Sequence, residues 1–168
     1  MGRVRVMDEP LHPVDFTADE LGTWSSFATM LEWLPVALDA QLQRDSGMSH
    51  FEYGLLYALS RAEGRTVRMS TLAGFANSTL SRLSRAVARL ERRGWVQRSP
   101  DPIDGRVTTA TLTPSGLDVT RAATPAHVAL VRTLVFGSLT GGQAEELRRI
   151  SSQIASSIGA DGRWVPGG

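Results

Sequence analysis

The segment from Ser78 to Arg93 constrains the fold more tightly than any other part of the chain. As a helix advancing about 100° per residue, it gathers apolar side chains on one face, which are predicted to pack inward: Leu80, Leu83, Ala86, Val87 and Leu90. The opposite face carries Ser81, Arg85 and Arg92, flanked by Ser78, Arg82 and Arg89. The segment therefore predicts a surface helix that is apolar inside and cationic outside.

A short helix precedes this segment. Ser70 is predicted to cap a helix that runs to Ala76, and a break at Asn77-Ser78 leads directly into the longer helix. Two helices joined by so short a turn predict a helix-turn-helix.

The hydrophobic period changes after Gly94. Residues 95–98 and 107–112 are rich in β-prone side chains, and residues 99–106 between them are rich in turn formers. This pattern predicts a β-hairpin with a protruding loop, called the wing below. Asp104 is close enough in sequence to orient Arg106. Taken alone, the tripeptide Asp104-Gly105-Arg106 is also typical of an ordinary hairpin turn with an exposed Arg106.

The flanking regions have helical character. Capping boxes begin at Thr17, Ser49 and Thr140, and Pro35 is expected to kink or divide the first helix. A helix from Thr113-Pro114 is expected to reach about Phe136. The sequence thus predicts a mainly α fold with a small β-hairpin wing, in one domain that spans residues 1–168.

Charge is distributed unevenly along the chain. The net charge is +1 overall, but −4 over residues 1–68, +4 over residues 69–106 and +1 over residues 107–168. All 18 basic residues are Arg, which a GC-rich genome would favour, and an Arg-rich face is also common on solvated surface helices. Here, however, Glu91 is the only acid in the longer helix. The middle segment therefore has the electrostatic character that phosphate binding requires.

Several kinds of chemistry find little support in the sequence. There is no Cys, and the three His residues, 12, 50 and 127, lack metal-ligand spacing. Asp101 and Asp104 are expected to be solvated at the wing tip. No enzyme activity, metal or cofactor is predicted. Residues 1–10 lack the apolar core of a secretory signal, so a cytoplasmic location without membrane contact is expected.

Several motifs together resemble the MarR (multiple antibiotic resistance regulator) family. They are Leu72-Ala73, residues 81–85 (SRLSR), residues 89–98 (RLERRGWVQR), residues 101–106 (DPIDGR) and residues 112–116 (LTPSG). The resemblance implies a winged helix-turn-helix with a helical dimerisation region at both ends, in which residues 48–112 form the DNA-binding lobe. It places Arg85 at the family's recognition-helix Arg, and Asp104 and Arg106 at its wing pair. Many members have a basic residue where this chain has Ile103, so the wing is expected to depend more heavily on Arg106.

The expected function is sequence-specific binding of duplex DNA by a transcription regulator, predicted to be a ligand-responsive repressor. The residues predicted to contact DNA are Ser78, Thr79, Ser81, Arg82, Ser84, Arg85, Arg89, Arg98, Asp104 and Arg106. The resemblance implies a homodimer through residues 17–44 and 114–158, bound to a pseudo-palindromic operator. The alternative is that the apolar stripes of these regions only close the core of a monomer.

The resemblance also implies a signal that alters DNA affinity. Without Cys, a thiol-oxidation switch is impossible. A small-molecule effector is the remaining expectation, with Trp24, Met30, Trp33, His50 and Tyr53 as candidate contacts, although each also fits ordinary core or surface. Two alternatives share the fold: a winged-helix module for protein interaction, and a non-specific DNA-binding protein.

Overall fold

The computed structural model describes residues 15–158. Six α-helices and three β-strands occur in this part of the chain. In order they are α1 (Ala18–Ser46), α2 (His50–Arg61), β1 (Thr66–Arg68), α3 (Met69–Phe75), α4 (Leu80–Arg92), β2 (Val96–Pro100), β3 (Thr108–Leu112), α5 (Pro114–Val131) and α6 (Gly141–Ser157). A π-helical turn, Arg132–Phe136, extends α5. The predicted fold class, mainly helical with a small winged sheet, is confirmed.

The sheet is antiparallel, and its strand order is β1-β3-β2. β2 and β3 form the predicted hairpin, in which Val96 pairs with Leu112 and Pro100 with Thr108. The pairing of β1 with β3 was not predicted, because a three-residue strand has too little sequence to reveal its partner. This added strand covers the edge of β3 and leaves the wing loop, residues 101–107, at the far end of the hairpin.

The core lies among α2, α3, α4, the sheet and α5. The four inward positions Leu83, Ala86, Val87 and Leu90 of α4 are buried, as predicted. Leu80 was predicted to join them, but it is 54% exposed. It is the first residue of α4, where the chain has not yet reached the packed part of the helix.

The junction of α4, β2 and α5 depends on two glycines. Gly94 has φ +73°, a left-handed conformation that ends α4 with little strain because glycine has no Cβ. Gly116 meets the segment between α4 and β2: a Cβ atom at this position would lie 2.0 Å from the carbonyl oxygen of Trp95. Thr113 completes the junction, since its hydroxyl donates to the carbonyl oxygen of Gly94 at 2.7 Å and accepts from the N–H of Gly116 at 3.0 Å. The Thr-Pro-Ser-Gly sequence thus joins the start of α5 to the end of α4.

The helix ends follow the predicted caps in most places. The capping boxes at Thr17, Ser49 and Thr140 are present. Ser70 was predicted to cap α3, but the helix already begins at Met69 and has no side-chain cap. Pro35 does not divide α1, which is helical from Ala18 to Ser46.

Contacts divide the chain into two compact units, Met1–Ala37 and Leu38–Gly168. The prediction about residues 1–10 lies outside the described part. Within residues 15–158, no single helix has the length and apolar composition needed to cross a membrane; only the bent pair Pro114–Phe136 with Gly141–Ser157 reaches these values when its helices are taken together.

Candidate nucleic-acid interface

The turn between α3 and α4 presents the first turn of α4 to solvent. Asn77 takes a left-handed conformation with φ +42°, which reverses the chain between the two helices. Thr79 is the N-cap of α4, and its hydroxyl accepts from the N–H of Arg82 at 3.2 Å. The hydroxyl of Ser78 donates to the carbonyl oxygen of Thr79 at 3.3 Å. Thr79 and Ser81 are exposed, while Ser78 and Ser84 are half-buried.

Arg85 and Arg92 form the centre of the outward face of α4. Both side chains are exposed, and within residues 15–158 neither forms an ion pair. A guanidinium without a carboxylate partner keeps all its N–H donors available for a phosphate or a base edge. These two residues therefore form a cationic surface that the rest of the described chain does not neutralise.

Two other arginines of α4 are held by the start of α2. Arg82 lies 4.6 Å from the centre of the Phe51 ring, in a cation–π contact. The Nε of Arg89 donates to Glu52 at 2.8 Å, and the Glu52 side chain is only 8% exposed. Burial opposes ionisation of Glu52, but hydrogen bonds from the N–H of Ser49 and from Arg89 outweigh it, so the pKa of Glu52 lies below its usual value. Arg89 therefore connects α4 to α2, whatever else it contacts.

Arg98 connects the wing to α4. Its guanidinium donates to Glu91 at 2.9 and 2.6 Å, and its backbone N–H donates to the same carboxylate at 3.0 Å. These hydrogen bonds lower the pKa of Glu91, which stays ionised. The only acid of α4 thus fixes the position of β2 relative to the helix.

The wing loop is organised around two aspartates. Asp104 accepts from the backbone N–H and the Nε of Arg106, at 3.1 and 3.0 Å, so it orients this arginine as predicted. The Arg106 side chain is nevertheless 92% exposed. Hydrogen bonds from Arg106 lower the pKa of Asp104.

Asp101 differs from the prediction that it is solvated. It is 8% exposed and accepts from the backbone N–H groups of Ile103 and Asp104, at 2.9 and 3.3 Å, and from Arg68 at 3.0 Å. The N–H groups of Ile103 and Asp104, together with Arg68, lower the pKa of Asp101. An aspartate that accepts from the backbone N–H two residues later is a recognised turn motif, so the contact of Asp101 with Ile103 could have been predicted from the sequence. Arg68 was missed, because nothing local links it to residue 101.

A groove of about 350 Å³ runs between α4 and the wing. Its lining brings together predicted DNA contacts from separate elements: Ser84, Arg98 and Arg106. In the sequence, only the family resemblance predicted that these residues share one surface. The fold brings them to a common groove. A polyanion lying along it would meet the hydroxyl of Ser84 on the helix and the guanidinium groups of Arg98 and Arg106 on the hairpin.

A larger cavity of about 1010 Å³ lies between α2 and α5, lined also by the π-helical turn. Two of the candidate effector contacts, His50 and Tyr53, line it, together with aromatic and aliphatic side chains such as Tyr57, Phe75 and Phe136. The other three candidates, Trp24, Met30 and Trp33, lie on α1 within the first unit and are exposed there.

The polar groups of the cavity include two neighbouring imidazoles. The rings of His50 and His127 lie 5.5 Å apart between centroids, and Tyr53 lies 4.6 Å from His127. Burial lowers the pKa of both His residues, and for His127 the neighbouring His50 lowers it further. The Nδ1 atom of His127 has no hydrogen-bond partner among the described residues. Within residues 15–158, no group of three His, Asp or Glu residues is placed to hold a metal ion.

The helix-turn-helix and the hairpin that follows it define the chain as a winged helix-turn-helix protein. The MarR family profile matches residues 48–108, from the start of the second helix region to the last strand of the wing. Together with the relatives described next, this match shows that the chain belongs to the MarR family of transcriptional regulators, and the resemblance seen in the sequence is confirmed.

Two similar solved structures come from Streptomyces coelicolor. Sco3205, a MarR family transcriptional regulator solved in complex with DNA, is 43% identical; the match covers 92% of this chain and 98% of that one, with a TM-score of 0.84. AbsC, another MarR family transcriptional regulator, is 32% identical over 87% of this chain and 98% of that one, with a TM-score of 0.82. An uncharacterized HTH-type transcriptional regulator of Bacillus subtilis, YdcH, is 32% identical over 80 residues, which are 46% of this chain and about half (54%) of that relative.

Proposed function

We propose that the chain is a homodimeric transcription regulator that binds a pseudo-palindromic DNA operator and acts as a ligand-responsive repressor. The observation that carries the DNA-binding proposal is the pair of exposed arginines, Arg85 and Arg106, on α4 and on the wing. In this proposal α4 enters the major groove, where Arg85 contacts guanine O6 and N7. Arg106 enters the adjacent minor groove, whose negative potential attracts arginine.

The remaining predicted contacts divide into two groups. Ser78, Thr79, Ser81 and Ser84 lie near the start of α4, where hydroxyl groups and backbone N–H groups suit phosphate oxygens. Arg82, Arg89 and Arg98 have partners within the chain, and we expect them to position α4 and the wing while facing phosphates. Asp104 acts by orienting Arg106.

The proposed dimer rests on apolar side chains that remain exposed in the single chain. On α6 and the segment before it these are Leu134, Ile150 and Ile154, and on α1 they include Trp24, Leu31 and Trp33. Large apolar groups in continuous stripes indicate a surface that a partner covers. Two symmetry-related α4 helices would then read half-sites about 10 base pairs apart.

The proposed effector site is the cavity lined by His50 and Tyr53. Its walls are mainly apolar and aromatic, and burial lowers the pKa of its imidazoles, which favours their neutral form. This chemistry suits a largely apolar organic molecule with few polar groups.

Fluorescence anisotropy tests the DNA-binding proposal. Labelled duplex from upstream of the chain's own gene is compared with scrambled duplex at two salt concentrations. We expect tighter binding to the native duplex, and a steep loss of affinity as salt rises. Equal, salt-sensitive binding to both duplexes would favour a non-specific DNA-binding protein. No binding at low salt would favour a protein-interaction module, which has no need of the Arg85 and Arg106 surface.

A further inference from the structure

The tip of the wing carries a large apolar side chain that packs against nothing. Ile103 is 91% exposed, the highest exposure among the large apolar residues of the described chain. Its neighbours in the loop are Pro102 and the polar residues that organise the turn. Because Ile103 is not part of the core, packing does not explain why an isoleucine occupies this position.

Hydrogen bonds within the loop organise the backbone of Ile103. Its N–H donates to the buried carboxylate of Asp101 at 2.9 Å, and that carboxylate is also bound by Arg68. The loop is closed by a hydrogen bond from the N–H of Asp101 to the carbonyl oxygen of Val107 at 2.7 Å. The side chain of Ile103 is therefore presented outward by an ordered turn, which reduces the entropy lost when it binds a partner.

The neighbouring Arg106 indicates which partner Ile103 contacts. It is three residues from Ile103 in the same closed loop, so the two Cα atoms are at most about 11 Å apart. If Arg106 enters a minor groove, this short separation brings Ile103 close to the same groove. The walls of the groove are the C–H surfaces of the deoxyriboses, which are apolar, and its width is only about 6 Å.

We propose that Ile103 is a specificity-determining residue that packs into the DNA minor groove beside Arg106 and disfavours base pairs with an amino group there. This inference rests on the proposed DNA-binding function. The exocyclic N2 amino group of guanine projects into the minor groove, whereas A·T pairs have only the N3 and O2 acceptors. A branched aliphatic side chain offers that amino group no acceptor and occupies its space, so the wing favours A·T pairs through shape.

The first arm of the test uses Ile103→Ala and Ile103→Val on the operator duplex. Removing three carbon atoms that the groove partly covers, in both wings of a dimer, predicts a loss of affinity of about tenfold for Ile103→Ala. Ile103→Val keeps the branched side chain and is expected to stay within about twofold of the unmodified protein. Because Ile103 is almost fully exposed, neither substitution disturbs the fold.

Salt dependence separates this contact from a phosphate contact. Ile103 neutralises no charge, so Ile103→Ala leaves the slope of log K against log salt unchanged. Arg106→Ala is the matched comparison, because it removes a charged side chain three residues further along the same loop. It is expected to lower the magnitude of the slope by about 1 for each wing.

The second arm changes one amino group of the DNA. Replacing adenine with 2,6-diaminopurine, in the flank that the protein protects from hydroxyl radicals, adds an amino group to the minor groove and keeps the major-groove edge. We expect this change to weaken binding of the unmodified protein about fivefold to tenfold, and to weaken Ile103→Ala by less than twofold. Such coupling identifies Ile103 as the residue that senses the amino group.

Each contrary result has a distinct meaning. Equal affinity of Ile103→Ala and the unmodified protein for the operator, or an equal penalty from diaminopurine in both, overturns the role of Ile103 while the DNA-binding function stands. Absence of binding by the unmodified protein to any duplex at low salt overturns the DNA-binding function, and the inference with it.

Discussion

Arg85 and Arg89 lie on the same helix, yet their surroundings give them different roles. Arg89 is bound to the buried carboxylate of Glu52, whereas Arg85 has no ion-pair partner in the described chain. A guanidinium that is already paired loses that interaction if it moves to a base edge, and a free one does not. The availability of each arginine, more than its position on the helix, therefore decides which of them can read DNA.

Arg85→Ala tests this distinction. We expect the substitution to reduce discrimination between the operator and a single-base variant by about 1–3 kcal/mol, because the proposed bidentate base contact would be lost. Anisotropy titrations of the two duplexes measure this difference. Arg61→Ala, which removes an exposed arginine from the end of α2, is the matched control and should leave discrimination unchanged. A loss of folding or of the dimer in Arg85→Ala would show instead that Arg85 has a structural role.

At the scale of elements, the contact between α5 and the end of α4 leaves no space at Gly116. A Cβ atom there would meet the backbone oxygen of Trp95, which cannot move as a flexible side chain would. Gly116→Ala is therefore expected to lower the free energy of unfolding by about 2–3 kcal/mol. Urea unfolding followed by circular dichroism measures this loss. Gly74→Ala on α3, where a Cβ meets nothing within 4 Å, should be neutral or slightly stabilising, and an equal loss in both variants would contradict the close contact.

The imidazoles between α2 and α5 make stability depend on pH. Burial lowers the pKa of His50 and His127 in the folded chain, while in the unfolded chain both have a pKa of about 6.5. Above that pH both states are neutral. As the pH falls below it, the unfolded chain takes up protons that the folded chain resists, so the free energy of unfolding decreases.

We therefore expect unfolding midpoints to fall between pH 7 and pH 5, and to fall less in His127→Phe than in the unmodified protein. Carboxylates such as Glu52 do not cause a change between pH 7 and pH 5, because the lowered pKa of Glu52 places its titration below about 4.5. Thermal unfolding at the two pH values measures the difference. The same decrease in both proteins would show that His127 does not resist protonation in the folded chain.

Elements with a strong local pattern were predictable from the sequence, and contacts between distant elements were not. The periodicity of α4 and the turn formers of the wing identified the helix-turn-helix and the hairpin. The Arg85 face and the Asp104–Arg106 pair also followed from local spacing. By contrast, Glu52 and Arg89 are 37 residues apart, and Arg68 and Asp101 are 33 apart. Opposite charges at such separations have many possible partners, and only the fold selects among them.

For the whole molecule, one recognition helix and one wing give too small a surface for tight, specific binding. A winged helix reads only a few base pairs, so linking two copies raises affinity because the second contact becomes intramolecular. The stripe of Leu147, Ile150 and Ile154 on α6, exposed in the single chain, is where the dimer proposal is most directly testable.

Ile154→Asp places a charge in this stripe, where a dimer interface would have to bury it without a partner. We expect a monomer by light scattering, with the fold retained by circular dichroism, and operator affinity weaker by about a hundredfold or more. Ser152→Asp adds the same charge on the opposite face of α6 and should remain a dimer with normal affinity. If Ile154→Asp stayed dimeric and bound the operator tightly, the interface would lie elsewhere, and the α6 stripe would need another partner to explain its exposure.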